Sequence, residues 1–198
     1  MSASSSASRI RRFVDREAGV TLIETAVACG LMVVVLAGVA AMTTLAMKLT
    51  ENEGHLTTRT AEYAVDKMEQ LQELTYGDAQ SNTTVFPSVT SGGTGLADGG
   101  SADPATPVVN YTDYLDTDGN PLCTVANPCT ATPPPTWYYR RVWQVCSSLT
   151  NGATGCPTDL VVNLKQIKVT ATIKTSVGGA LKAKSSVVSF KTNCPAGC

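Results

Sequence analysis

The sequence predicts an α+β protein in which a long N-terminal helix packs on a small antiparallel β-sheet. Residues 25–47 form an uninterrupted run of 23 residues without a charged side chain. The stretch that follows repeats apolar residues at intervals of three and four, as an amphipathic helix does. Beyond residue 136, side chains alternate with the period of two that is typical of strands. We therefore expect one helix followed by one sheet.

The uncharged run is long enough to cross a membrane. Each helical residue rises about 1.5 Å, and a hydrocarbon core is roughly 30 Å thick. An ordinary secretory signal has a shorter apolar core. Cys29 stands near the start of the run, whereas a lipidation site would lie at its end. A plain single-span anchor would explain the length of the run but not Glu24 at its start.

Charge is distributed unevenly about this run. Residues 1–19 contain four arginines and carry a net charge of +2, whereas the rest of the chain carries −3. Positive charge before a span, with none in excess after it, places the N-terminus in the cytoplasm and the bulk of the chain outside. The balance does not favour nucleic-acid binding as a main role.

A short motif precedes the run, and its last residue, Glu24, needs a physical explanation. A carboxylate near the bilayer core costs on the order of 3 kcal/mol or more unless it finds a partner. The motif consists of Gly19, Val20, Thr21, Leu22, Ile23 and Glu24. Together with the basic segment before it, this pattern resembles the prepilin signature of the type IV pilin superfamily. That superfamily includes pilins, minor pilins and the pseudopilins of type II secretion, and usually has Phe where this chain has Val20.

The resemblance implies a specific processing and assembly pathway. Prepilin peptidase would cleave between Gly19 and Val20, and Val20 would be N-methylated. Glu24 would then pair with the free N-terminal ammonium of a neighbouring subunit. The residues between them, Thr21, Leu22 and Ile23, would belong to the recognition motif. The implied partners are other pilin subunits, the peptidase, the inner-membrane assembly platform and the membrane, and no cofactor is implied.

The resemblance also implies a pilin-like division of the chain and a location for each part. The expected segments are a leader at 1–19, a transmembrane or filament-core helix at 20–47, an amphipathic helix half at 48–76, a variable loop region at 77–136 and a β-meander with a disulfide-bounded C-terminus at 137–198. The protein would cross the inner membrane once, with its head in the periplasm, and then enter an extracellular filament.

The amphipathic half is predicted from its apolar stripe. The stripe consists of Leu49, Leu56, Ala61, Tyr63, Ala64, Met68, Leu71 and Thr75. Charged residues are predicted to lie elsewhere on the helix, namely Glu62, Asp66, Lys67, Glu69 and Glu73. Tyr76-Gly77-Asp78 is the expected stop.

Three strands are predicted in the last segment. The first covers 137–149, with Trp143 in the core on the same face as Arg141, and with Arg140 and Arg141 solvated or hydrogen-bonded rather than forming a phosphate site. The second covers 164–176, and a hairpin at Gly178-Gly179 leads to the third at 180–192. The buried residues expected on the last two strands are Ile167, Val169, Ala171, Ile173, Leu181, Ala183, Val187 or Val188, and Phe190.

Six cysteines lie outside the uncharged run: Cys123, Cys129, Cys146, Cys156, Cys194 and Cys198. An even set in a translocated domain predicts disulfides, for which 15 pairings exist. The local pairs Cys123–Cys129, Cys146–Cys156 and Cys194–Cys198 are one simple solution. A zinc site is not favoured, because CxxC spacing is missing and the single histidine, His55, lies far away in the helix.

Two other functional classes were considered. Asp113, Asp116, Asp118 and Asn120 form a calcium-like cluster, but they lack the glycine and glutamate positions of an EF-hand loop. A hairpin turn between strands at 111–115 and 121–125 is the preferred interpretation.

An enzyme is not favoured, because the sequence has no GxSxG, phosphate-loop or HExxH motif. Within the family that the chain resembles, the long loop and six cysteines are more similar to a minor pilin. The alternatives are a secretion pseudopilin or a pilus-borne adhesive subunit.

Overall fold

The computed structural model describes residues 21–174 and 183–193, without the side chains of residues 49, 52 and 53. The chain divides into two units, residues 1–46 and residues 47–198. A 52-residue helix, α1, spans Leu22–Glu73. The predicted long helix is therefore confirmed, although it ends before the expected stop at Tyr76. The motif residues Gly19 and Val20 lie outside the described residues.

The second unit contains one antiparallel sheet. Its strands are β1 (Gly99–Gly100), β2 (Thr112–Leu115), β3 (Tyr139–Ser147), β4 (Leu164–Ile173) and β5 (Lys184–Thr192). A short 3-10 helix, Ser148–Thr150, follows β3. Strand β3 pairs with β4 on one side and with both β1 and β2 on the other, and β4 pairs with β5. The predicted three-stranded meander is confirmed, and the loop region adds two further strands to it.

The main core lies between residues 63–71 of α1 and the inner face of the sheet. Its largest member, Trp143, is fully buried opposite Val169, which in turn pairs with Val187. The helix contributes Tyr63, Ala64, Met68 and Leu71, and β4 contributes Ile167, Val169, Ala171 and Ile173. The predicted buried face of β4 and the core position of Trp143 are confirmed.

Several predicted positions were wrong. Lys67 is fully buried, and Thr75, beyond the end of the helix, is exposed. Arg141, in contrast, is hydrogen-bonded as predicted, although it is also fully buried. Phe190 is 54% exposed. On β5 the odd-numbered residues face α1, as the hydrogen bond of 3.0 Å from Gln72 Nε2 to Ser189 Oγ shows. Because successive side chains on a strand point to opposite faces of the sheet, Phe190 lies on the face away from α1. Leu181, the Gly178-Gly179 hairpin and the side chain of Leu49 lie outside the described residues.

The loop region forms a small second core. Val85 and Tyr114 pack there with Cys123 and Cys129, which are joined by a disulfide with a Cα–Cα distance of 5.2 Å. A second disulfide joins Cys146 to Cys156, with a Cα–Cα distance of 5.7 Å. These are two of the three local pairs, and Cys194 and Cys198 lie outside the described residues.

The predicted turn at residues 116–120 is present, but its second strand is not. Only Pro121 pairs, in an isolated bridge with Leu115. After Leu122 the chain enters the disulfide loop, so a strand over 121–125 does not form.

Candidate functional site

The most unusual surface in the described chain is the apolar part of α1. Residues Leu22–Lys48 have a mean hydropathy of 2.4, and none of the most apolar 18-residue stretch is buried. Leu22 is 88% exposed and Met42 is 77% exposed. A helix that is apolar on every side is stable only when lipid or other protein covers it. By length and composition, this helix can cross a membrane.

The start of this helix is fixed by the sequence motif itself. The backbone N–H of Glu24 donates to the carbonyl oxygen of Thr21, with an N–O distance of 3.0 Å. The same nitrogen lies 3.4 Å from the side-chain Oγ1 of Thr21. A threonine followed three residues later by glutamate has the spacing of a helix capping box. Glu24 also stands in the first turn, where the helix dipole favours negative charge. Thr21 and Glu24 therefore define where α1 begins.

The hydroxyls in the apolar segment are satisfied within the helix. Thr43 Oγ1 donates to the carbonyl of Ala40 at 2.9 Å, and Thr44 Oγ1 donates to the same oxygen at 2.8 Å. These bonds allow both side chains to face lipid or apolar protein without an outside partner. Glu24 differs from them, because no described residue forms an ion pair with its exposed carboxylate. In an apolar environment an ionised carboxylate at this position is costly without a cation, and the described residues supply none.

A cluster of charges is buried in the second unit, residues 47–198, which we call the head unit. Lys67 Nζ lies 2.7 Å from Asp113 Oδ2, and both side chains are almost fully buried. Arg141 donates to the same carboxylate through Nε at 2.8 Å and Nη2 at 2.9 Å. Its remaining nitrogen, Nη1, bonds Asp66 at 2.7 Å. We call Asp66, Lys67, Asp113 and Arg141 the ion cluster.

The hydrogen-bonding capacity of Lys67 is fully used. In addition to Asp113, its ammonium donates to the carbonyl of Thr83 and to Gln70 Oε1, the latter at 3.2 Å. It also lies 4.6 Å from the centre of the Trp143 ring. The ion cluster joins α1 to β2 and β3, and the bond from Lys67 to Thr83 adds the loop before β1, so these contacts fix the helix to the sheet and to that loop.

Burial and charge compete in setting the pKa values of the ion cluster. Burial lowers the pKa of Lys67 from 10.5 to about 8, although Asp113 opposes the shift. Burial alone would raise the pKa of Asp113, but Arg141 and Lys67 together hold it below its usual value. The pKa of Arg141 is raised, because Asp113 and Asp66 outweigh the effect of burial. Asp113 is therefore ionised at neutral pH.

Sequence reasoning missed this cluster, although one signal pointed to it. Lys67 follows Ala64 by three residues and precedes Leu71 by four, which is the spacing of the apolar stripe. A charged residue at a stripe position indicates a buried charge with partners elsewhere in the chain. Those partners, Asp113 and Arg141, lie 46 and 74 residues further along the sequence and could not be identified from spacing.

The calcium-like residues do not converge on one point. Asp113 belongs to the ion cluster, whereas Asp116 Oδ1 accepts hydrogen bonds from the backbone of Asp118 at 2.9 Å and of Asn120 at 2.8 Å. The side chain of Asn120 adds a third bond and lowers the pKa of Asp116. Within residues 21–174 and 183–193, no group of three or more His, Cys, Asp or Glu side chains is placed to hold a metal ion.

Comparisons of the chain with protein families, with curated proteins and with solved structures find no match.

Proposed function

We propose that this chain is a minor pilin, a structural subunit of a type IV pilus-like filament. Prepilin peptidase would process it between Gly19 and Val20, and it would assemble through its N-terminal helix. The observation that carries the proposal is the exposed apolar helix Leu22–Lys48, which has no charged residue over 25–47. The motif Thr21-Leu22-Ile23-Glu24 stands at its start, after an arginine-rich segment. Such a helix requires lipid around it before assembly and neighbouring subunits afterwards.

Electrostatics provides a reason for coupling assembly to processing. Cleavage after Gly19 creates an ammonium group on Val20. A neighbouring subunit's ammonium would supply the cation that Glu24 lacks in the described chain. In an apolar filament core, an unpaired carboxylate is costly, so the pair selects the register at which two helices dock. Before cleavage no such amine exists at this position.

The expected location follows from charge and disulfides. The arginines before the span favour a cytoplasmic N-terminus in the inner membrane. Two disulfides in the head unit suit an oxidising compartment rather than the cytosol. We therefore infer a periplasmic head in the membrane-bound form and an extracellular head in the filament.

The test is the intact mass of the protein recovered from sheared surface filaments. The proposal expects a chain that begins at Val20, with an N-methyl group. A matched sample from cells without prepilin peptidase should begin upstream of Val20 and should be missing from the filament fraction. A protein that keeps residues 1–19 and stays in the inner membrane would contradict the proposal and indicate a plain membrane anchor.

A further inference from the structure

A basic cleft opens on the face of the sheet that turns away from α1. Its volume is about 320 Å³. It contains three cationic side chains, Arg140, Lys174 and Lys184, and one carboxylate, Asp103. The remaining lining residues are Pro104, Ala105, Trp137, Thr172 and Ile173. We call this the basic cleft.

Strand register brings the cations together. Arg140 on β3 pairs with Thr172 on β4, and Thr172 pairs with Lys184 on β5. Cross-strand partners point to the same face, and neighbouring strands lie about 4.8 Å apart. Arg140 and Lys184 therefore flank Thr172 in one row. Lys174 follows at the end of β4.

The cations of the basic cleft are not neutralised by the described residues. Arg140 Nη1 donates to the carbonyl of Pro104 at 2.6 Å, whereas its buried Nε has no described hydrogen-bond partner. Lys174 Nζ donates only to the carbonyl of Pro135, at 3.3 Å. None of the ion pairs among the described residues involves these three side chains. Asp103 uses its carboxylate locally, accepting a bond of 3.0 Å from the backbone of Ala105.

Trp137 fixes two of the cations in place. The guanidinium of Arg140 lies 4.7 Å from its ring centre, and the ammonium of Lys174 lies 5.5 Å away. Cation–π contacts of this kind hold charged side chains without cancelling their charge. Arg140 and Lys174 are thus positioned before any ligand arrives, which reduces the entropy lost on binding.

The charge density of the basic cleft contrasts with that of the head unit as a whole. Residues 47–198 contain 11 Lys and Arg but 13 Asp and Glu. General basicity therefore does not account for three adjacent unpaired cations. Like charges held close together repel one another until an anion joins them.

We propose that the basic cleft binds a phosphate or sulfate ester whose organic part is about the size of one sugar ring. The oxyanion would contact Arg140 and Lys184, and Pro104 and Ala105 would contact the organic part. The cleft is larger than a bare oxyanion requires and falls in the size range of small-molecule sites. This inference does not depend on filament membership.

Titration calorimetry on the protein in detergent, at 0.1 M salt, tests the inference. The probes are glucose 6-phosphate, glucose 6-sulfate, inorganic phosphate and glucose. We expect both esters to bind, inorganic phosphate to bind more weakly and glucose not to bind. Arg140→Gln should weaken ester binding about tenfold or more, because a charge-assisted hydrogen bond is lost. Lys184→Gln, at an exposed position, should weaken it about three- to tenfold.

Lys168→Gln is the matched control, because it removes the same charge from β4. Lys168 lies four residues along β4 from Thr172, the centre of the row, which is about 13 Å and beyond the screening length of about 10 Å at 0.1 M salt. Ester binding should stay within about twofold of the unmodified protein. The inference is overturned if neither ester binds, or if Lys168→Gln weakens binding as much as Lys184→Gln does. Equal affinity for inorganic phosphate would overturn the assignment of an organic part.

Discussion

Lys67 and Asp113 meet at 2.7 Å in the interior of the head unit, although one belongs to a helix and the other to a strand 46 residues later. Arg141 completes the contact by binding both oxygens of the same carboxylate. Asp113 is therefore the single anion shared by two buried cations.

Removing Asp113 should strongly destabilise the head. Asp113→Ala leaves the charges of Lys67 and Arg141 buried without their shared partner, and breaking a buried pair in this way costs about 3–5 kcal/mol. The free energy of unfolding can be measured in denaturant by tryptophan fluorescence. Asp66→Ala is the control: its carboxylate is 56% exposed, so the loss should be at most about 1 kcal/mol. Similar losses for the two variants would contradict the proposed importance of Asp113.

The ion cluster should also produce a defined pH dependence. Because the pKa of Asp113 is below 3.8 in the folded protein, its stabilising contribution is present above pH 3.8 and is lost as pH falls toward that lower pKa. The pKa of Lys67 is lowered from 10.5 to about 8, so the unfolded chain binds more protons between these values. The contribution of Lys67 to the free energy of unfolding should therefore rise from pH 8 to 10.5.

A pH series on the unmodified protein and on Lys67→Met separates this contribution from other titrations. The difference in unfolding free energy between the two proteins should grow in favour of the unmodified protein across pH 8–10.5. A flat or falling difference would contradict the lowered pKa of Lys67.

Gly119 should not accept a side chain. Its φ is +90°, and an added Cβ would meet the hydroxyl of Tyr63 on α1 as a severe clash. Gly119→Ala should therefore combine backbone strain with displacement of Tyr63, at a total cost above the roughly 1–2 kcal/mol of strain alone. Gly152→Ala is the matched control, because its φ is +76° but the nearest atom lies 3.9 Å from the added Cβ. Thermal unfolding of both variants provides the measurement, and equal losses would show that Tyr63 does not restrict position 119.

Glu24 should matter for assembly but not for cleavage. Glu24→Gln keeps a hydrogen-bonding side chain in the first turn of α1 and removes only the charge. If a neighbouring ammonium is its partner, incorporation into filaments should fall at least about tenfold, because loss of the pair leaves a buried cation unpaired. The ratio of processed chain in filaments to processed chain in the membrane measures this effect. Glu51→Gln, which removes an exposed charge from the same helix, is the control. Normal incorporation of Glu24→Gln would contradict the assembly role.

The elements with strong sequence periodicity were the predictable ones. The helix and the strands containing Trp143, Val169 and Val187 follow from spacing, because burial on one face imposes a repeat on the side chains. Alternation also placed Arg141 on the same face as Trp143, but could not identify the carboxylate that allows it to be buried. Strand β1 could not be predicted, because Gly99-Gly100 has no side chains to show a pattern.

The basic cleft was also beyond sequence reasoning. Its row of Arg140, Thr172 and Lys184 depends on the register between three strands, and register is not visible in any one of them. The wrong prediction for Phe190 has a similar cause. Strand β5 carries apolar side chains on both of its faces, so its sequence does not reveal which face is buried. The capping residue Thr21, in contrast, was identified in the sequence as part of a motif, with a different role.

The position of the cap has a consequence for maturation. All described hydrogen bonds that start α1 use Thr21 and residues after it, and the proposed scissile bond lies two residues earlier. Cleavage between Gly19 and Val20 would leave these bonds in place. The protease would remove the arginine-rich residues 1–19 and leave a new ammonium group on Val20. Maturation of this kind would supply the charged group that subunits need for association, while the described start of α1 keeps its hydrogen bonds.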